Sequence, residues 1–133
     1  MSQSAVEVVR AFVNAINRQD VDALCELMTP QHRFIDALAN VVEGREPMRA
    51  AWKGYFGMVP DYSIAVEETH CDGAVVALFG EAKGTYAPSG ELDNENRWST
   101  PVAVRASIED DKVAEWRVFA DNEPMRLCMA RAK

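Results

Sequence analysis

The sequence predicts an α+β domain, and three observations lead there. Apolar residues recur at helical spacing up to about Tyr55, then change to alternation from Asp61 onward. The alternating half contains Asp72-Gly73, a strong hairpin signal. No Pro/Gly/Ser-rich linker divides the 133 residues, so both halves are expected to build one core, a single domain over residues 1–133.

In order along the chain, Val6, Val9, Val13 and Ile16, with Phe12 widening the stripe, predict a first helix. Asp20 suits the N-cap of a second, which carries Val21, Leu24, Leu27 and Met28 and is expected to stop at Pro30. Residues 31–36 read as a short extended piece. Gly44 and Pro47 introduce a third helix with Met48, Ala51, Trp52, Tyr55 and Phe56 on its apolar face. Gly57 and Pro60 close it.

Tyr62, Ile64 and Val66 then begin a strand, the hairpin follows, and a long strand runs from Ala74 to about Tyr86. Pro88-Ser89-Gly90 breaks it, and residues 92–96 read as a loop. Val102, Val104, Ala106 and Ile108 share one face of the next strand, with Ala103, Arg105 and Ser107 on the other. After the turn at Asp110-Asp111-Lys112, Trp116, Val118 and Ala120 share a face of the last strand. The expected architecture is three N-terminal helices packed on a curved, mainly antiparallel sheet of four or more strands. Val104, Ala106, Ile108, Trp116 and Val118 should point toward the helices. Such a cone has an open mouth, where small-molecule sites usually form.

Composition narrows the partners. Fourteen basic against 21 acidic residues give a formal charge of −7, which repels nucleic acid and anionic lipid, and no basic patch offsets it. No apolar run approaches the ~20 residues that span a bilayer. Cys25, Cys71 and Cys128 show no metal-ligand spacing and are read as reduced thiols, so no metal or organic cofactor is expected and the expected location is the cytoplasm.

The stretch from Phe12 through Leu24 resembles the paired opening helices of the nuclear transport factor 2-like superfamily. Phe34-Ile35-Asp36, Gly44-Arg45-Glu46 and the run from Glu109 to Arg117 match it too. The chain is most similar there to the SnoaL-like, polyketide cyclase-like proteins, whose relatives include ketosteroid isomerase and limonene epoxide hydrolase. The resemblance implies a cone-shaped cystatin-like roll, a small, largely apolar ligand in a central pocket, and a homodimer formed through the outer sheet face. It implies either a cofactor-independent isomerase, cyclase or lyase, or a non-catalytic small-molecule-binding or dimerisation module, because one fold hosts both.

Asp36 lies where the resemblance places the isomerase aspartate that moves a proton between carbons. A carboxylate in an apolar pocket resists ionisation, which suits a general base near neutral pH; the alternative is an aspartate capping a loop. The oxyanion donors of that chemistry are missing, since their positions correspond to Phe12 and Val104, so a steroid isomerase of the known type is disfavoured. The epoxide-hydrolase type is disfavoured as well. Trp116-Arg117 is similar, but Val118 replaces an aspartate and Glu81 and Lys83 reverse the expected charge order.

His32 shares strand parity with Asp36, but four strand residues span ~13 Å, so no direct dyad forms without a bend. His32 is expected to be partly exposed after Pro30, and His70 solvent-facing. Asp121 is a second acid candidate at the mouth, or simply a turn residue. Phe12, Trp52, Tyr55, Phe56, Val104, Trp116 and Val118 are the expected pocket wall, with Trp98 a further aromatic. Tyr55 and Tyr62 offer hydroxyls to a ligand carbonyl.

Overall fold

A computed structural model describes residues 4–131. Helix α1 (Ala5–Asn17) starts at Ser4, whose hydroxyl accepts the Glu7 N–H at 3.1 Å. Helix α2 (Val21–Glu26) is capped by Asp20, which accepts the Ala23 N–H at 3.0 Å. Strand β1 (Met28–Ile35), strand β2 (Val41–Glu43) and helix α3 (Arg45–Met58) follow. Strands β3 (Ser63–Asp72), β4 (Val75–Thr85), β5 (Arg97–Glu109) and β6 (Lys112–Ala120) complete the sheet, and helix α4 (Glu123–Arg131) ends the described chain.

The six strands lie in the order β2-β1-β6-β5-β4-β3. Every pairing is antiparallel except β1 with β6, which is parallel. Helix α1 packs across β3, β4, β5 and β6, while α3 covers β1 and β2. The α+β roll is therefore the expected one, with additions. Among the described residues the helices number four, since α4 packs on β5, and the second helix stops at Glu26 rather than at Pro30. Pro30 lies inside β1, in the register shift between Met28 and Arg33, where a missing N–H breaks no ladder bond. The loop at 92–96 contains a single 3₁₀ turn, Asn94–Asn96.

Burial follows the period-two reading. Val104, Ala106 and Trp116 are buried in the core, and Ile108 and Val118 pack against it. Arg105 is exposed on the opposite face. A bulge between Ser107 and Ile108 lets Val113 and Trp116, three residues apart, both face inward. A second bulge, between Val66 and Glu68 of β3, presses the backbone onto Gly80. A Cβ there would stand 1.9 Å from the Ala65 carbonyl oxygen, so only glycine fits.

Candidate functional site

Where α3 leaves the sheet, a cavity of about 300 Å³ opens between α3, β1 and β6. Its apolar wall is built from Phe34 of β1, Trp116 and Val118 of β6, and Met48 and Trp52 of α3. Helical spacing sets Met48, Trp52 and Tyr55 on one stripe. Period-two spacing carries Phe34 of β1 on to Asp36 just past the strand's end, and Trp116 and Val118 of β6 on to Asn122.

The aromatic rings hold one another. Trp52 stacks on Phe56 at 5.2 Å and meets the edge of Phe34 at 6.0 Å. Tyr55 and Tyr62 are perpendicular at 5.0 Å, and the far side of Tyr62 lies 6.0 Å from Trp98. Gln19 Nε2 donates to the Tyr62 carbonyl at 2.6 Å, which fixes the backbone beneath that ring. Burial pushes the Tyr62 phenol up to about 12. It pushes Tyr55 higher still, with Tyr62 adding to the effect. Both are hydroxyl donors at any physiological pH. The Tyr55 hydroxyl donates a hydrogen bond to Met125 Sδ at 3.7 Å; the Tyr62 hydroxyl meets no partner among the described residues.

Asp36 stands at the rim. Its Oδ1 accepts the N–H of Leu38 and of Asn40, each at 2.9 Å, and its Oδ2 accepts Asn40 Nδ2 at 3.1 Å. These bonds close the turn from Asp36 to Asn40, in which Ala39 adopts a φ of 67°. The carboxylate thus both lines the cavity and caps a loop.

The other candidates lie elsewhere. His32 is completely buried, not partly exposed, because the β1 bulge turns it inward against Phe12. Its Nδ1–H donates to the Val113 carbonyl at 2.7 Å, leaving Nε2 buried with no partner among the described residues. Asp121 is exposed and accepts the Glu123 N–H at 3.0 Å, where it starts α4. Phe12, Phe56 and Val104 belong to the core behind the cavity, whereas Trp52, Tyr55, Trp116 and Val118 line it. His70 is exposed beside Glu68. Glu81 and Lys83 are exposed and line a separate depression with Asp61 and Arg97. Asn122 was not a sequence candidate, although one more step of the Trp116–Val118–Ala120 alternation reaches it.

Burial lowers the proton affinity of His32, against a smaller opposing effect of its Val113 bond and of Glu115. The folded ring stays neutral while the unfolded one takes a proton below about 6.5. The unfolded state then binds more protons, so stability should fall as the pH drops from 7 toward 5. Thermal melts across that window should fall more steeply for the native protein than for His32→Asn, whose amide can replace the Nδ1 donor. Equal slopes would contradict this.

Comparison with known proteins adds the family. No curated protein sequence matches the chain. Among solved structures, a proposed SnoaL-like polyketide cyclase from Jannaschia sp. CCS1 is 24% identical, with a TM-score of 0.77 over 99% of this chain and 96% of that one. IdmH, a proposed polyketide cyclase from Streptomyces antibioticus, is 18% identical, with a TM-score of 0.79 over 96% and 99%. An uncharacterized cystatin-fold protein from Novosphingobium aromaticivorans is 24% identical, with a TM-score of 0.74 over 89% and 99%. At these identities the likeness establishes the fold. The family model for the SnoaL-like domain matches residues 9–116, which runs from within α1 to Trp116 in the cavity wall, and the chain belongs to that family.

Proposed function

We propose that this SnoaL-like protein binds a small, largely apolar ring compound in the cavity between α3, β1 and β6, with the Asp36 carboxylate as proton acceptor in isomerase- or cyclase-type chemistry. The observation that carries the reading is that one carboxylate and two protonated phenols line a cavity whose wall is otherwise apolar except for Asn122. A base beside an apolar, partly dehydrated ligand needs no cofactor to move a proton between carbon atoms. A second reading, a non-catalytic binding module, has its own support. Both oxygens of Asp36 already accept hydrogen bonds from its loop, as a purely structural cap would.

Binding itself is tested by titrating ¹⁵N-labelled protein with a two-ring ketone. Resonances of Phe34, Trp52, Tyr62 and Val118 should shift together. Those of Arg10 and Glu67, in a separate groove of about 500 Å³ between α1 and β3, should stay in place. Shifts confined to that groove would move the site.

We also propose a homodimer through the outer sheet face. Phe79 and Phe119 flank Ala103 in register there and are 45% and 48% exposed. The Arg117 guanidinium lies 5.1 Å over the Phe119 ring. A two-fold contact would bury this row against itself. Sedimentation at micromolar concentration should give a dimer, and a monomer there would count against it.

A further inference from the structure

The polar groups of the cavity are unequal in kind. Its one carboxylate, Asp36, already takes three hydrogen bonds, and Asn122 adds an amide that can both accept and donate. Its donors are in surplus. The Tyr62 hydroxyl has no partner among the described residues, and the Tyr55 hydroxyl has only a thioether sulfur, a weak acceptor. Trp52 is 6% exposed, and its Nε1 is buried with no partner among the described residues. Trp52 Nε1 is thus the buried unpaired donor, whereas the hydroxyl of the partly exposed Tyr62 is open at the cavity to an acceptor that a ligand brings.

From this inventory we infer that Tyr62 is the specificity-determining donor of the cavity, and that the ligand presents it with an uncharged acceptor oxygen, a ring ketone or equivalent carbonyl. The assignment rests on the binding reading above and names the ligand chemistry for it. Tyr62 is suited to the role by how it is held. Its ring meets those of Tyr55 and Trp98, and its carbonyl is tied to Gln19, so its hydroxyl is positioned before a ligand arrives. The opening helix offers no such group, because Phe12 is fully buried in the core.

The experiment compares 1-tetralone with tetralin, the same two-ring skeleton without the oxygen, by NMR titration of the native protein, Tyr62→Phe and Tyr55→Phe. The native protein should prefer the ketone roughly five- to tenfold, the size of one neutral hydrogen bond. Tyr62→Phe should bring that preference to about unity while tetralin binds as before; Tyr55→Phe should leave the preference within about twofold. The phenylalanine keeps the ring contacts, and an unchanged melting temperature will show that the fold is intact. A preference that survives in Tyr62→Phe, or is lost instead in Tyr55→Phe, overturns the assignment while the cavity remains a binding site. Equal affinity of the native protein for the two rings also overturns it. If neither ring shifts the cavity resonances, the binding reading itself falls, and Tyr62 with it.

Discussion

Asp36→Asn should slow proton transfer by about 10²–10⁴-fold, the usual contribution of a positioned general base. The readout needs no native substrate. Exchange of the acidic C–H of a bound ring ketone into deuterated water, followed by NMR, reports the step directly. The variant should still fold and still bind. An asparagine Oδ1 can accept the Leu38 and Asn40 N–H groups as the carboxylate does, and only the contact to Asn40 Nδ2 becomes donor against donor. Rotation of the Asn40 amide relieves that clash, at a stability loss of about 1 kcal/mol. Equal exchange rates in the two proteins would remove Asp36 from any mechanism and leave the binding module in front.

Trp116→Ala carries the largest expected effect on stability. Trp116 is 1% exposed, its ring lies 4.6 Å from that of Phe12, and its backbone pairs with Phe34 on one side and Ala106 on the other. Truncating a buried tryptophan costs roughly 3–5 kcal/mol, since the surrounding framework collapses only in part. Against a total of about 5–15 kcal/mol this is a large fraction. Calorimetry should show Tm falling by about 10–20 °C. An apolar ring compound should restore part of that loss, because the enlarged cavity offers it more surface. A fall of less than about 1 kcal/mol would mean that the ring does not tie helix to sheet.

Most of the fold was legible because its periods are clean. Val102, Val104 and Ala106 alternate strictly, and Val9, Val13 and Ile16 keep helical spacing, so each element declares its buried face. What escaped was non-local or short. Pro30 read as a helix stop, but it sits in a register shift that only the pairing of β1 with β6 creates. The same shift buries His32, which strand parity alone could not place. Strand β2 has three residues, too few for a period, and α4 leaves Leu127 half exposed, so its apolar stripe is weak.

The site was legible as residue types rather than as an arrangement. Asp36, Trp52, Tyr55 and Tyr62 stood out singly. That Asp36 also caps a turn depends on Asn40, and that Tyr62 is pinned depends on Gln19, contacts that no local pattern announces.

The parallel pairing of β1 with β6 also sets the order in which the molecule can be assembled. Ile35 meets Arg117, and Val113 gives its carbonyl to His32, so the early strand finds its neighbour only near the end of the sequence. Closing so long a loop is entropically slow, and contacts of this separation lengthen folding times. During synthesis, β3, β4 and β5 can zip as hairpins, and β1, β2 and α3 can meet locally, while the β6 edge of β1 waits for its partner. The inner wall of the cavity, Phe34 against Trp116, is thus among the last surfaces to form. Until then Phe34 has only the α3 side of its contacts, through Trp52, and the Trp116 side of the wall is missing.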